Sequence, residues 1–330
     1  MTGGLDLFRL AAALLVVANH TSPLAFAPQA DYVLVQIFSR LAVPFFFMVT
    51  GYFVLPRLEQ DSPGPVWKKS CLLYGAAILL YLPLNLYKGL PADPAAWLRF
   101  FLFDGTFYHL WYFPALLMGL GLMALLLRRP RWVLPAAGLL YLIGLTGDSY
   151  YGLGLLRGAW DGVFPLLGQT RNGPFLAPLF LALGWALAKH PPRFSRRCYA
   201  VGTLLSLVCL LAEGLIVQQL GLARYSVLYL TLPLASWCLF RWLLALDLPP
   251  RPGLRPLATA VYLLHPWIIV LVRGFAKLIG AVPLLVEQPL VHFLAVVLAS
   301  ALLGGVLCLC RQRLSSRRSG RRSVDAAGPR

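Results

Sequence analysis

GLDLFRLAAALLVVANH, residues 4–20, is apolar at every position from Leu10 to Ala18, yet it carries Arg9 near one end and His20 at the other. Such a run reads as a membrane-crossing helix. The eleven-residue offset, at about 100° per residue, makes roughly three turns, so Arg9 and His20 share one stripe about 16 Å apart along the axis. Placing such groups in hydrocarbon costs several kcal/mol unless they face protein or a water-filled cavity. The stripe therefore marks a buried working site. The bland alternative is an arginine that snorkels to the headgroups and a histidine that bonds to a neighbouring helix.

The rest of the chain has the same character. Of 330 residues, 59% are hydrophobic and 12% charged, and the mean hydropathy is +0.73, which is the composition of a polytopic membrane protein. About ten apolar stretches recur, near 6–25, 33–55, 70–88, 109–127, 132–147, 174–189, 198–217, 226–246, 257–279 and 291–310. The expected fold is an all-α, multi-pass transmembrane helix bundle. It forms one membrane domain over 1–312, followed by a basic, disordered cytoplasmic tail over 313–330 that lies near anionic lipids.

The formal charge of +17 does not point to nucleic acid, because the basic residues cluster in alternate loops. By the positive-inside rule those loops, and both termini, face the cytoplasm of a cell-membrane protein. The first apolar run has no basic leader or small-residue cleavage site and is expected to stay as a helix. Two segments expected on the outer side, 89–108 and 147–173, are longer than a connection needs. The first reads as an interfacial or re-entrant helix, the second as a binding loop or a cap over the bundle.

Other polar residues fall within or beside the spans. Arg40 is too deep to snorkel and should face the interior, and Glu213 is a candidate partner for Arg40 or His20. His109 and Trp111 open the fourth span, where aromatic residues form interfacial belts. His265 precedes Pro266, which frees backbone carbonyls to line a cavity, although a packed histidine at a kink also fits. Lys68 and Lys69 are topological anchors or contacts for the phosphates of a cytosolic donor. No phosphate loop, zinc spacing or nucleophile elbow is present in the sequence, and the six cysteines have no metal or disulfide pattern.

Several motifs in order resemble the acyltransferase 3 membrane family: Arg9 to His20 preceded by GLD, PFFFMVTGY at 44–52, Lys68-Lys69, HLWYFPALL at 109–117 and YLLHPW at 262–267. The resemblance implies transfer of an acyl group, commonly acetyl from acetyl-CoA, to a carbohydrate or small-molecule hydroxyl, with no metal. His20 would act as acid/base or transient acyl carrier, Arg9 would help bind the donor, and Lys68 and Lys69 would attract its phosphates. NHTSPL, RLAVPFFFM, FDGTFYHLWY, GDSYYG and TRNG are also similar to the membrane domain of VanT-type serine racemases. That likeness implies handling of L-serine, with a separate racemase as a partner and without racemase activity in this chain. Arg171 or Arg40 would then hold the carboxylate and Asp148 or Glu213 the ammonium, with Asn172, Trp111 and His109 in support.

Overall fold

The computed structural model describes residues 3–59 and 64–325. Its helices are α1 (Gly3–Thr21), α2 (Pro28–Tyr32), α3 (Ala42–Leu58), α4 (Gly64–Lys88), α5 (Pro94–Arg99), α6 (Tyr112–Leu126), α7 (Val133–Thr146), α8 (Arg157–Leu167), α9 (Ala177–Lys189), α10 (Arg196–Gln219), α11 (Leu232–Ala245), α12 (Leu254–Leu278), α13 (Val282–Leu285) and α14 (Pro289–Asp325). Among the described residues there is no strand.

Among the described residues, six helical stretches are long and apolar enough to cross a membrane: α1, the continuous run Pro28–Leu58, α4, α10, α12 and the Pro289–Cys310 part of α14. The apolar helices α6, α9 and α11 are shorter, and α7 has 14 residues. These four occupy the remaining stretches read as spans. Breakers account for their length: α9 stops at Lys189 ahead of Pro191-Pro192, and α11 stops at Ala245 ahead of Pro249-Pro250. The helix α14 continues to Asp325 through a segment whose composition predicts disorder. Its Arg-rich stretch has good helix propensity and no proline before residue 329.

Segment 89–108 contains the short helix α5, followed by a π turn over Phe100–Asp104. Asp93 caps α5 by accepting the Ala96 N–H at 2.9 Å, with Pro94 in the first turn. Residues 147–173 contain α8 and two short 3-10 turns. Within Pro28–Leu58 the α geometry gives way to a π turn at Val33–Ile37 and a 3-10 turn at Phe38–Leu41, immediately before Pro44. Arg40 sits in that irregular stretch.

The chain divides into two units, Met1–Asp31 with Asp247–Arg330, and Tyr32–Leu246. In the first, α1 and α12 run parallel, because Asp6 meets Arg255 near their starts and His20 meets His265 further along both. Ala13 and Val17 of α1 pack with Ala258, Val261, Ile268 and Ile269 of α12 and Val296 of α14. In the second unit α3 and α9 pack backbone to backbone. A Cβ on Gly51 would overlap the Leu181 carbonyl, and one on Gly184 would overlap that of Met48, so the missing side chains permit the approach. Tyr112 stacks on Phe47 at 4.8 Å beside this crossing.

Candidate functional site

The first unit brings together the histidine that opened the sequence reading and one from the far end of the chain. The rings of His20 and His265 stack with centroids 5.3 Å apart and planes 20° from parallel. Local chemistry fixes the second ring. Pro266 has no N–H, so the Tyr262 carbonyl, four residues earlier, loses its helical donor. The His265 Nδ1 supplies one, 2.8 Å from that oxygen, with the Val261 carbonyl at 3.3 Å. A carbonyl only accepts, so the proton sits on Nδ1 and the lone pair on Nε2. His265 is fully buried, and α12 passes through Pro266 as a helix. The histidine thus closes the gap that the proline opens and presents a ring of fixed orientation to His20.

One helical surface carries the opposite charge arrangement nearer the start of α1. Asp6 is fully buried. Its two oxygens accept a bidentate pair of bonds from Arg255, at 2.8 Å from Nε and 3.1 Å from the terminal nitrogen, and a third from the Arg251 N–H at 3.0 Å. Arg9, three residues on along α1, lies within electrostatic reach of the same carboxylate. Two arginines therefore flank one acid at one end of the α1–α12 pair, and the stacked histidines lie further along it.

The remaining residues singled out in the sequence lie in the second unit. Lys68 and Lys69 are exposed in the first turns of α4. Arg40 donates to the Gln36 amide oxygen one turn earlier. Its carboxylate neighbour is Asp148, not the anticipated Glu213. That glutamate accepts from the Leu230 and Thr231 N–H groups at 2.5 and 2.8 Å, from the Thr231 hydroxyl at 2.5 Å, and from the Tyr150 hydroxyl at 2.6 Å. It caps the start of α11, where unpaired N–H groups and the helix dipole favour an anion. His109 lies only 2% exposed, edge-on to Tyr81 at 4.8 Å, and so belongs to a packed aromatic cluster and not to an interfacial belt.

Asp148 is likewise saturated. It is fully buried and accepts from the Val227 and Leu228 N–H groups at 2.8 and 2.9 Å and from the Thr170 and Ser149 hydroxyls at 2.8 and 3.2 Å. It ties segment 147–173 to the approach to α11. Burial pushes its carboxyl up to about 6 from 3.8, against the lowering effect of those N–H groups, Thr170 and the Arg40 charge. A folded value above the unfolded one means that folding favours the protonated form. That contribution is complete below about 4 and lost as pH rises through about 6. The thermal unfolding temperature, followed in detergent at constant salt, is expected to fall across that window.

Arg171 lies over the Trp111 ring, its guanidinium carbon 4.8 Å from the centroid. With Asn172 these residues form part of the wall of a cavity of about 470 Å³ that is bounded by segments 85–111 and 168–172. Segment 89–108, read as an interfacial or re-entrant helix, and segment 147–173, read as a binding loop or a cap, thus share one concavity. A smaller cavity, about 380 Å³, is lined by Arg193, Arg241 and Trp237 with no acidic residue among the described residues. Arg241 there is 6% exposed and donates to the His190 carbonyl at 2.7 Å.

Residues 2–310 match the family described as an acyltransferase domain. The chain belongs to the acyltransferase 3 family. It is also 37% and 38% identical to two Enterococcus faecalis proteins named amino-acid racemase, over 92% and 94% of its length, and 36% identical to an Enterococcus gallinarum serine/alanine racemase over 93%. It spans 44%, 46% and 45% of those relatives, less than half of each. No solved structure matches it.

In this acyltransferase 3 chain, sequence reasoning missed Asp6, Arg255 and Asp104. Asp6 stood in the quoted stretch, and its place inside an apolar span three residues from Arg9 was the signal. Arg255 read only as a basic loop residue, and nothing local to Asp104 announces the cavity that it lines.

Proposed function

We propose that this member of the acyltransferase 3 family is a multi-pass cell-membrane enzyme of about ten crossings with both termini in the cytoplasm. It moves an acyl group, acetyl in the first instance, from a cytosolic acyl-CoA to a hydroxyl on an envelope or small-molecule acceptor. The observation that carries this reading is the stacked His20–His265 pair with one tautomer set by Pro266. His20 takes the proton of the acceptor hydroxyl as its oxygen attacks the thioester carbonyl carbon. The carbon–sulfur bond breaks, the departing thiolate receives the proton from His20, and the products are an ester and a free thiol. His265, its tautomer fixed by the Tyr262 carbonyl, positions the His20 ring. Arg9, beside Asp6 and Arg255, helps hold the donor, and Lys68 and Lys69 draw its phosphates from solution.

A second reading, non-catalytic handling or transport of L-serine beside a separate racemase, is favoured by the racemase names of the relatives. The two part in a direct experiment. Purified full-length protein in lipid nanodiscs, given acetyl-CoA labelled in the acetyl group and an envelope fraction as acceptor, is expected to transfer label and release free thiol. Absence of both transfer and donor binding, together with serine flux in proteoliposomes lacking any donor, would replace the first reading by the second.

A further inference from the structure

We propose that the smaller cavity, at the end of α9 and the start of α10, binds a phosphate group, that of an anionic phospholipid headgroup, on Arg241, Arg193 and the Tyr199 hydroxyl.

The wall is built to donate. Arg241 is 6% exposed and uses one terminal nitrogen on the His190 carbonyl at 2.7 Å, at the residue that ends α9. That bond alone would make it a helix cap. Its Nε and second terminal nitrogen meet no acceptor among the described residues, yet they keep accessible surface. The Trp237 ring, 5.4 Å from the guanidinium carbon, aligns the fork beside the cavity that both residues line. Tyr199, on the same wall, has a donor left over for a different reason. Its hydroxyl oxygen accepts the Arg193 N–H at 3.0 Å and the Phe194 N–H at 3.3 Å. Those bonds occupy both lone pairs, so the hydroxyl hydrogen is left to donate, with no acceptor among the described residues.

No acid answers these donors. The groups within electrostatic reach of Arg241 are Tyr199, Tyr52 and Arg193. Glu59, just past the end of α3, is taken by Lys189 and the Trp185 indole N–H. Two arginines and a hydroxyl thus border a space of about 380 Å³ with their like charges uncompensated, a balance that an anion reverses. The start of α10 adds the positive end of a 24-residue helix. A phosphate has enough oxygens to accept from all three donors at once.

The surroundings favour a lipid over a phosphate from solution. Phe194 borders the cavity and is 67% exposed, an apolar edge beside the charges that suits a headgroup with its chains attached. Segment 190–195 belongs to a basic loop expected at the cytoplasmic surface, and basic pockets between helices on that face take phospholipid headgroups. The inference does not rest on acyl transfer.

The test is equilibrium binding of radiolabelled dioctanoyl phosphatidic acid to the full chain in a neutral detergent. Saturable binding is expected, with no displacement by dioctanoylglycerol, which lacks the phosphate. Inorganic phosphate, which lacks the chains, should displace it only at concentrations about a hundredfold higher. Arg241→Gln is expected to weaken binding about tenfold or more. Because Arg241 also caps α9, the exposed Arg193→Gln is the second variant; it keeps the backbone N–H that Tyr199 accepts and should weaken binding about threefold. Arg128→Gln, exposed in another basic loop, should leave binding unchanged, which separates a site from the general attraction of a chain of charge +17. No saturable binding, equal losses in Arg128→Gln and Arg193→Gln, or unchanged affinity in folded Arg241→Gln and Arg193→Gln would overturn the proposal. Displacement by inorganic phosphate or coenzyme A at the lipid's own concentration would give the site to a phosphate from solution and overturn the lipid assignment. The labelled-acetyl assay, run on the same preparation, reports separately on acyl transfer.

Discussion

Replacement of His20 by alanine is expected to lower acetyl transfer by about 10²–10⁴-fold, the range for loss of a positioned acid/base group, while the protein remains folded. The ring is only half-buried, so its removal is not expected to leave a large sealed void. The readouts are initial rate with labelled acetyl-CoA and thermal unfolding of the same preparation. His265→Phe separates the two roles in the pair, because it keeps an aromatic surface against His20 while removing the nitrogens. It should reduce the rate by about tenfold or more and displace the pH–rate profile, a change that loss of packing alone does not make. Undiminished transfer in folded His20→Ala protein would reduce the stacked pair to a structural contact.

The second large effect belongs to the scaffold. Gly51→Val and Gly184→Val are each expected to destabilise the protein by about 3 kcal/mol or more, or to abolish folding. At both positions the new Cβ meets a backbone carbonyl on the opposing helix, Leu181 or Met48. A flexible side chain swings aside at small cost, whereas a carbonyl in a helix moves only with its helix. Gly75→Val is the control, since nothing lies within 4 Å of a Cβ at that position. Thermal unfolding in a fixed detergent, with yield of monodisperse protein, checks the series. Equal unfolding temperatures for the Gly51 and Gly75 variants would show that α3 and α9 do not touch through their backbones.

Both results bear on how much the linear chain discloses. The helical class was legible because apolar runs of membrane length need no tertiary information; the lipid-facing side of each helix must be apolar in any arrangement. Span number was less legible. At α9 and α11 the apolar composition continues up to proline pairs that end the helix, so hydropathy and helix length part company. Arg40 and Glu213 illustrate a different limit. Opposite charges in apolar spans invite pairing on paper, yet the open N–H groups at the start of α11 take the glutamate, and Asp148 is the acid whose field Arg40 shares.

The sequence alone established a multi-helix membrane chain, a polar stripe from Arg9 to His20, and the membership that its ordered motifs imply. Those properties depend on composition and on spacing along one helix, which hold whatever the neighbours. Tertiary structure decided which distant residues complete the stripe. His265 reaches His20, and Arg255 reaches Asp6, only because α1 and α12 run parallel. Segments 89–108 and 147–173 contribute to one cavity only because the chain between them returns. Helix periodicity fixes which residues share a face; only packing fixes what that face meets.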